Sequence, residues 1–320
     1  MSDVEHIETV VVGGGQTGLA VGSELRERGM EFVILDAGKR VGDAWRNRWD
    51  SLLLFTPARF NGLPGMPFPG PKDAYVGKDQ IADFLEHFAT IKKLPVRNSV
   101  RVERLDHDGR RFVLETTSGP MTANNAVVAM ADYQVPKIPR FGAALRPDIN
   151  QLHSSQYKNA SQLRDGPTLI VGFGNSGADI GLEIAKTGPA YIAGNHGAVV
   201  PFRIENWFGR TLGVKLVRFI TVRVLNTSTP IGRRLRPKLL SKSAPIVRVK
   251  PRDLVRAGAI RVPRVTGVSE GGLPQLGDGR ILEVDNVIWC TGFETGFSWI
   301  DLPVFDDHGR PDHIRGVVSE

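Results

Sequence analysis

The same local pattern occurs twice in this chain, and it restricts the possible folds more than any other feature. The first copy, within residues 9–36, is an apolar strand that leads into Gly-x-Gly-x-x-Gly, then a helical segment and a second strand ending in an acid. The second copy, within residues 168–193, repeats the strand, the glycine pattern, the helix and the following strand. Such units are typical of α/β proteins whose parallel sheet binds a dinucleotide. Two units in one chain indicate two nucleotides, one passing electrons to the other.

Each glycine of the first copy has a separate physical reason. Gly13 permits a tight turn, Gly15 lets the backbone approach a pyrophosphate, and Gly18 lets the helix pack closely on the strand. The start of the helix offers free N–H groups and a partial positive charge to the phosphates. Asp36 ends the second strand, where a carboxylate accepts hydrogen bonds from ribose hydroxyls. The alternative, a glycine-rich turn that binds nothing, does not account for the strands, helix and acid around it.

Length and composition fit a globular protein of about two domains. The chain has 320 residues, of which 41% are hydrophobic and 23% are charged. Its one cysteine, Cys290, excludes an internal disulfide and a Cys-x-x-Cys dithiol, and fits a reducing compartment. The first eight residues lack the features of a secretory signal, and no apolar run approaches the ~18 residues of a membrane span. We therefore expect a cytoplasmic protein.

The segment between the two glycine patterns predicts further elements. A helix is expected over Lys78–Ile91, because its apolar residues recur at helical spacing. Strands are expected within residues 96–105, 112–117 and 126–130. Three prolines within residues 136–147 indicate a linker between two domains.

The charge is distributed unevenly along the chain. Residues 206–252 contain 12 Lys and Arg and no acid, whereas the whole chain carries a net charge of +7. Within this stretch, residues 212–225 are apolar with interspersed basic residues, which predicts an amphipathic or interfacial helix. Three interpretations remain open: a surface insertion, attraction for cofactor phosphates or an anionic substrate, and peripheral association with an anionic membrane. Nucleic acid is not an expected partner, because no reading motif accompanies the charge.

Five motifs in a fixed order extend over nearly the whole chain. They are Gly13-x-Gly15-x-x-Gly18, Gly42-x-x-Trp45-Arg46, His153-Ser154-x-x-Tyr157, Gly172-x-Gly174-Asn175-Ser176-Gly177 and Trp289-Cys290-Thr291-Gly292-Phe293. This order resembles the flavin-containing monooxygenases, in particular bacterial FAD/NAD(P)H oxidoreductases related to plant YUCCA-type enzymes. The resemblance implies an α/β fold with two dinucleotide-binding (Rossmann-like) domains. An FAD domain of residues 1–135 plus 275–320 would hold an inserted NAD(P)H domain of residues 150–275, which carries the basic insertion 206–252.

The resemblance also implies which residues hold the two cofactors. For FAD they are Gly13, Gly15, Gln16, Thr17, Gly18, Asp36, Trp45, Arg46 and Val102. For NADP they are Gly172, Gly174, Asn175, Ser176, Gly177 and Asn195, with Thr291 and Gly292 near the cofactors. Arg46 and Thr56 are the candidate catalytic residues, with Arg46 favouring negative charge on the flavin. Simple packing is the alternative role for both, and no metal site is expected.

The chain departs from the family pattern at several points. Residues 129–131 read Ala-Met-Ala where the family has Ala-Thr-Gly. Residues 193–196 contain neither the usual Arg nor an acid, so NADPH and NADH both remain candidates, with Arg203 or a later basic residue as the source of charge. His153 lacks the preceding Phe and Gly of the ketone monooxygenases, which argues against that reaction. The sequence stops at Glu320, where relatives continue for a further strand and helix.

The resemblance implies a monooxygenase reaction. NADPH would reduce FAD, and reduced FAD would react with O2 to give a C4a-(hydro)peroxyflavin. That species would oxygenate a small substrate at nitrogen or sulfur, or decarboxylate a 2-oxo acid oxidatively. Two other classes remain open: a flavin-dependent reductase of a quinone or electron carrier, and a non-catalytic nucleotide-binding redox sensor. The sequence specifies neither the substrate nor the oligomeric state.

Overall fold

Two sheets, each built around one of the glycine patterns, form the framework of the protein. The computed structural model describes residues 4–131, 133–226, 228–240, 244–307, 309–314 and 316–318. The strands of the first half are β1 (Glu5–Val12), β2 (Phe32–Leu35), β3 (Leu53–Pro57), β4 (Tyr75–Gly77), β5 (Val96–Arg97), β6 (Val102–His107), β7 (Phe112–Thr116) and β8 (Met121–Val128). Those of the second half are β9 (Val135–Pro136), β10 (Asn150–His153), β11 (Thr168–Val171), β12 (Ala190–Ala193), β13 (Ile260–Val262), β14 (Val265–Val268), β15 (Pro274–Leu276), β16 (Asn286–Trp289) and β17 (Phe293–Glu294).

Seven α-helices accompany these strands within the described residues. They are α1 (Gln16–Glu27), α2 (Asp43–Arg46), α3 (Lys78–Ile91), α4 (Asn175–Ala185), α5 (Val214–Phe219), α6 (Pro230–Leu240) and α7 (Pro251–Arg256). Two π-helical turns, Gly209–Gly213 and Ile220–Val224, flank α5 and extend it at both ends. Short 3-10 turns occupy Ala58–Phe60, Arg140–Ala144 and Ala160–Gln162. No helix in the described part of the chain is long and apolar enough to cross a membrane.

The first sheet has six strands in the order β5-β2-β1-β8-β7-β6. At its centre β1 runs parallel to both β2 and β8, and β7 pairs antiparallel with β8 and β6. Residues Val10–Val12 and Phe32–Leu35 are buried, as expected for central parallel strands covered on both faces. The carboxyl ends of β1 and β2 therefore meet at the edge where the first glycine loop begins.

The second sheet has five parallel strands in the order β10-β16-β11-β12-β13. Strand β16 lies inside it, between β10 and β11, although the sequence pattern assigns residues from 275 onward to the first domain. The pairing of β16 differs from that assignment, because an apolar strand fits either sheet and only its pairing decides between them. The domain bounds stay a prediction. The chain returns to the first sheet later, where Leu105 N–H donates to Trp299 O at 2.9 Å.

One core cluster joins the two sheets. Val11 and Ile34 of the first sheet belong to the same buried cluster as Ile170, Ile192 and Ile288 of the second. The two halves thus share buried apolar surface rather than meeting through a polar interface. The nucleotide-binding edges of the two sheets are held in one packed body.

Candidate functional site

The three glycines of the first loop differ in the space around them. At Gly13 and Gly18 the protein's own backbone leaves no room for a Cβ, whereas the space at Gly15 is empty. Gly13 has φ +110°, and a Cβ on it would lie 3.0 Å from the carbonyl group of Ala129. A Cβ on Gly18 would overlap the carbonyl oxygen of Gly13. Gly15 has an ordinary φ of −78°, and a Cβ there would meet nothing within 4 Å. The protein's own packing explains Gly13 and Gly18, whereas the open space at Gly15 fits a group from outside the chain, such as a pyrophosphate.

The second glycine loop has the same division of roles. Gly172 has φ +108°, and a Cβ on it would overlap the carbonyl oxygen of Cys290. A Cβ on Gly177 would overlap the carbonyl oxygen of Gly172. Gly174 has φ −93°, with nothing within 4 Å of its Cβ position. Each sheet therefore presents one open glycine at the start of a helix, α1 or α4.

Asp36 is fixed by two backbone N–H groups at the end of β2. Its Oδ2 accepts from Gly14 N at 2.6 Å, and its Oδ1 accepts from Gly38 N at 2.7 Å. A carboxylate offers about four lone-pair positions, so two remain for further donors. These hydrogen bonds orient the acid beside the glycine loop, where ribose hydroxyls are its expected partners.

A cavity of about 800 Å³ opens at this edge of the first sheet. It falls within the range of small-molecule and cofactor sites. Seven of the nine predicted FAD contacts line it: Gly13, Gly15, Gln16, Thr17, Asp36, Trp45 and Val102. Gly18 packs beneath the loop instead, and Arg46 does not line the cavity. These residues fit the adenosine and pyrophosphate parts of a dinucleotide such as FAD.

The far wall of the cavity comes from segments that the sequence pattern did not assign. It consists of Met130, Ala131, Tyr133, Gln134, Gly296 and Trp299, together with Asn47 and Arg48 beside Trp45. The Ala-Met-Ala departure from the family pattern thus lies on the cavity wall itself. The close approach there is made by Gly13, which lies opposite the carbonyl group of Ala129.

Arg46 does not have the surroundings of a catalytic residue. Its guanidinium donates to Val41 O at 2.6 Å, to Asp83 at 2.9 Å and to Glu86 at 3.0 Å. These partners hold it against α3, outside the cavity lining. The catalytic role of Arg46 stays a prediction, and the acids of α3 hold its side chain outside the cavity lining.

Arg48 is the basic side chain of this loop that lines the cavity. Its guanidinium lies 5.4 Å from the Tyr133 ring and 5.9 Å from the Phe293 ring, in cation–π contact. Within the described residues it has no carboxylate partner, and its Nε donates to Ala44 O at 3.2 Å. Burial lowers the pKa of Arg48 below its usual range, although an arginine stays charged at neutral pH. This charge is only partly hydrated, and no carboxylate in the described part of the chain forms an ion pair with it.

Thr56 also lies outside the cavity lining. Its hydroxyl donates to Asn61 Oδ1 at 2.5 Å, and the Asn61 amide donates back to Thr56 O at 3.2 Å. This reciprocal pair closes the turn after β3. Its contacts fit the packing alternative, and the catalytic role of Thr56 stays a prediction.

The predicted residues of the second site have mixed surroundings. Asn175 uses its side chain structurally, donating to Pro245 O at 3.0 Å and accepting from Val247 N at 2.9 Å. Ser176 is half-buried in the first turn of α4, and Asn195 is exposed beyond the end of β12. The backbone N–H groups of the α4 start, rather than the Asn175 side chain, are therefore the groups available to phosphates.

Thr291 and Gly292 connect the second sheet to the cavity wall without lining the cavity. The Thr291 hydroxyl donates to Lys137 O. Gly292 O accepts from His153 Nε2 at 3.0 Å and from Lys137 N at 3.0 Å. His153 is fully buried, and burial lowers its pKa below the ordinary value of 6.5. A neutral His153 thus holds the loop that carries Phe293 beside Arg48.

Comparison with known proteins agrees with this geometry. The chain matches two family models, Pyridine nucleotide-disulphide oxidoreductase over residues 10–196 and Flavin-binding monooxygenase-like over residues 124–308. It is 36% identical to an uncharacterized oxidoreductase, CzcO-like, from Geobacillus kaustophilus, over 99% of this chain and 89% of that protein. It is 30% identical to the Indole-3-pyruvate monooxygenase YUCCA1 of Oryza sativa subsp. japonica, over 91% of this chain and 78% of that protein.

A solved structure extends the comparison to the fold. A flavin-containing monooxygenase from Stenotrophomonas maltophilia matches with a TM-score of 0.73 at 26% identity, covering 97% of this chain and 86% of that one. The family resemblance and the α/β fold with two Rossmann-like domains, both predicted from the order of motifs, are confirmed. The chain therefore belongs to the flavin-containing monooxygenase-like family of oxidoreductases, which use a flavin together with a pyridine nucleotide.

Proposed function

We propose that this protein is an FAD-dependent, NADPH-oxidising monooxygenase acting on a small substrate. The observation that carries the proposal is the pair of open glycines, Gly15 and Gly174, on two sheets that share one core. One open position adjoins the 800 Å³ cavity, which suits FAD, and the other suits the phosphates of a nicotinamide nucleotide. Substrates consistent with the proposal are amines, sulfides and 2-oxo acids.

FAD, when bound, supplies hydride acceptance and oxygen activation, and the protein supplies binding, orientation and electrostatics. The α1 start and Gly15 would hold its pyrophosphate, and Asp36 would orient its ribose. Trp45 and Trp299 line the cavity, where their apolar rings would limit the access of water. No residue of the chain is required to act as a nucleophile.

Arg48 is the residue we propose for electrostatic stabilisation. A half-buried cation beside two aromatic rings gains most from an anion that enters the cavity. The preorganised positive charge of Arg48 at this wall would stabilise negative charge on a flavin bound there. The role that the sequence pattern predicts for Arg46 is thus proposed for the basic residue two positions later.

The choice of NADPH over NADH rests on arginines near the end of β12. Arg203, one candidate for contacting a 2′-phosphate, is already ion-paired with Asp253. Arg264 lies closer to the expected position, with its Cγ 4.0 Å from the Cβ position of Gly194. Arg261 is exposed beside it and lies 5.3 Å from the Phe173 ring. We propose that Arg261 and Arg264 supply the positive charge for the 2′-phosphate.

A thiol-based reductase is not favoured by the chemistry of the one cysteine. Desolvation raises the pKa of the Cys290 thiol to about 12, so it carries almost no thiolate at neutral pH. Disulfide exchange needs both a reactive thiolate and a partner thiol. A flavin-dependent reductase of a quinone or electron carrier remains the competing function.

The first experiment is reduction of the FAD-loaded protein without oxygen, followed by admission of labelled O2. We expect NADPH to bleach the flavin absorbance, at a lower concentration than NADH. With an amine, sulfide or 2-oxo acid substrate, labelled oxygen should then appear in the product. Electron transfer to a quinone without label incorporation would assign a reductase, and absence of bleaching would refute both enzymatic functions.

A further inference from the structure

Residues 207–235 expose more large apolar side chains than any other described segment of comparable length. Trp207 is 79% exposed, Phe219 is 59% exposed and Leu212 is 56% exposed. Leu216, Val222 and Ile231 are also exposed, at 49%, 53% and 55%. Contiguous apolar surface of this kind on a folded protein marks a site of contact with another surface.

The exposed apolar residues form a row along the helix. Phe208, Leu212, Leu216 and Ile220 recur every four residues, all of them exposed. Residues four apart lie on the same side of a helix, so these side chains form one stripe along it. Phe219 extends the stripe at its carboxyl end. The stripe faces away from the protein, since α5 has no buried residue.

Basic residues surround this stripe. Lys215, Arg218 and Arg223 interrupt the apolar sequence, and Arg233 and Arg234 follow it on α6. None of these five forms an ion pair with any residue that the structure describes. The long side chains of Lys and Arg can extend past an apolar face and keep their charges at its rim.

Two later basic residues have structural roles and do not belong to this surface. Arg248 is ion-paired with Asp179 at 3.3 Å. Lys250 is buried, and its Nζ donates to the carbonyl oxygens of Val200 and Val247 at 2.8 and 2.6 Å. Among the described side chains, five basic residues without an ion pair therefore lie within residues 215–234, next to the apolar stripe.

The inner side of the segment is fixed to the protein body. Gly209 and Gly213 are buried, and a Cβ on Gly213 would lie 2.5 Å from the ring of Phe202. The Arg210 guanidinium lies 5.8 Å from the Tyr75 ring, and that of Arg218 lies 5.0 Å from the Phe60 ring. The stripe is thus presented outward by a helix with an anchored inner side.

We propose that residues 207–235 dock the protein on an anionic membrane surface. The apolar stripe would enter the boundary between headgroups and acyl chains, and the basic residues would contact the anionic headgroups. The occupant follows from charge complementarity. A second copy would bring two like-charged segments together, and nucleic acid offers no apolar surface for the stripe. This proposal is independent of the oxygenation reaction.

The test is sedimentation of the 320-residue, FAD-loaded protein with vesicles. Phosphatidylcholine vesicles are compared with equimolar phosphatidylcholine and phosphatidylglycerol, at about 0.1 M and about 1 M salt, between which the Debye length falls from about 10 Å to about 3 Å. We expect binding to the anionic vesicles alone, weakened at high salt. A blue shift of tryptophan fluorescence on binding, absent in Trp207→Phe, would show that the stripe enters the membrane.

Two variants with the same change in total charge test whether the position of the basic residues determines vesicle binding. The reversal variant carries Lys215→Glu, Arg223→Glu and Arg234→Glu, and leaves Arg218 in its contact with Phe60. Its control carries Arg110→Glu, Arg111→Glu and Lys186→Glu, which are exposed residues elsewhere with the same total change in charge. We expect the reversal variant to bind at least about tenfold more weakly and the control to bind nearly as wild type, since each basic residue near the surface contributes about 1 kcal/mol.

A second pair of variants tests the apolar stripe. The stripe variant carries Leu212→Ser, Leu216→Ser and Phe219→Ser, and its control carries Val255→Ser, Ile260→Ser and Ile281→Ser, which are exposed in the structure. Loss of vesicle binding in the stripe variant alone would support the proposal. An equal loss of vesicle binding in either control variant would overturn the proposal. Failure of wild type to bind anionic vesicles, or its displacement from them by duplex DNA, would overturn it too. A dimer that the stripe variant abolishes, without vesicle binding by wild type, would assign the surface to a second copy.

Discussion

Gly15 and Gly18 differ in what a methyl group would meet, although they belong to the same motif. We expect Gly15→Ala to leave the melting temperature of the apoprotein nearly unchanged, since Gly15 has φ −78° and free space at its Cβ position. In the proposed site the same methyl group would occupy pyrophosphate space and cost about 1–3 kcal/mol of FAD binding, roughly 5- to 150-fold in Kd. Flavin fluorescence titration and thermal melting of the apoprotein measure the two quantities.

Gly18→Ala serves as the matched control for that substitution. Its methyl group would overlap the carbonyl oxygen of Gly13, so the apoprotein itself should melt at a lower temperature. If Gly15→Ala retained FAD with wild-type affinity, the first loop would not be the pyrophosphate site. Similar losses of apoprotein stability in both variants would contradict the separate roles assigned to the two glycines.

Arg46 and Arg48 should respond in opposite ways to loss of their charge. Arg48→Met removes a half-buried cation without a carboxylate partner, so the melting temperature of the apoprotein should hold or rise, while flavin reduction slows on the order of 10²-fold. Arg46→Met removes hydrogen bonds to Val41, Asp83 and Glu86, and should cost about 1–3 kcal/mol of stability. Flavin bound to Arg46→Met should still be reduced at the wild-type rate.

Anaerobic stopped-flow reduction by NADPH, normalised to bound FAD, distinguishes the two arginines. Slow reduction in Arg46→Met with a normal rate in Arg48→Met would restore the role that the sequence pattern predicts for Arg46. The sequence cannot rank the two residues, because they lie two positions apart in one loop. Their difference comes from α3, whose acids lie 37 and 40 residues beyond Arg46 in the chain.

At the scale of single elements, the predictions succeeded where the signal was local. The helix expected over Lys78–Ile91 is confirmed with the same bounds, and its apolar face is buried. The glycine loops are also local, so the near wall of the cavity could be predicted from the sequence. The far wall combines residues 130–134 with residues 296–299, and no local pattern relates those segments. The sheet that contains Asn286–Trp289 was likewise decided by strand pairing rather than by composition.

Strand β10 ends at a histidine whose protonation should weaken the fold. Ser155 N donates to His153 Nδ1 at 3.2 Å while Nε2 donates to Gly292 O, so the neutral ring satisfies both contacts. Because the native pKa lies below 6.5, the unfolded chain binds more protons between the two values. The contribution of His153 to stability is therefore complete above about pH 6.5 and is lost as the pH falls toward its lowered native value.

Thermal melting across about pH 5 to 8 measures this effect. We expect His153→Gln to be less stable than wild type at neutral pH and to lose less stability on acidification. The control is His87→Gln on the exposed face of α3, which should follow the wild-type pH profile. If the melting temperature of His153→Gln fell with pH as steeply as that of wild type, other groups would cause the acid sensitivity.

At the scale of the whole molecule, the two nucleotide-binding sheets are expected to unfold together. They share one core cluster, and a polar contact reinforces it where Tyr157 Oη donates to Glu183 Oε1 at 2.8 Å. The Ser51 hydroxyl donates to the other oxygen of the same carboxylate. Glu183 on α4 thus connects the loop after α2 to the second sheet. Because the two halves share buried surface, we expect their unfolding to be coupled. The proposed hydride transfer requires the same two halves to lie near each other.

Calorimetry of Glu183 variants tests this coupling. Glu183→Ala would leave the fully buried Tyr157 hydroxyl without its acceptor, at a cost of about 1–3 kcal/mol. Glu183→Gln keeps an acceptor oxygen and should lose less. We expect wild type to melt in one transition. Saturating FAD should raise the melting temperature of both halves, although its proposed site lies on the first sheet. Two separate transitions in wild type, only one of them moved by FAD, would show that the halves unfold independently and that the common core does not couple them.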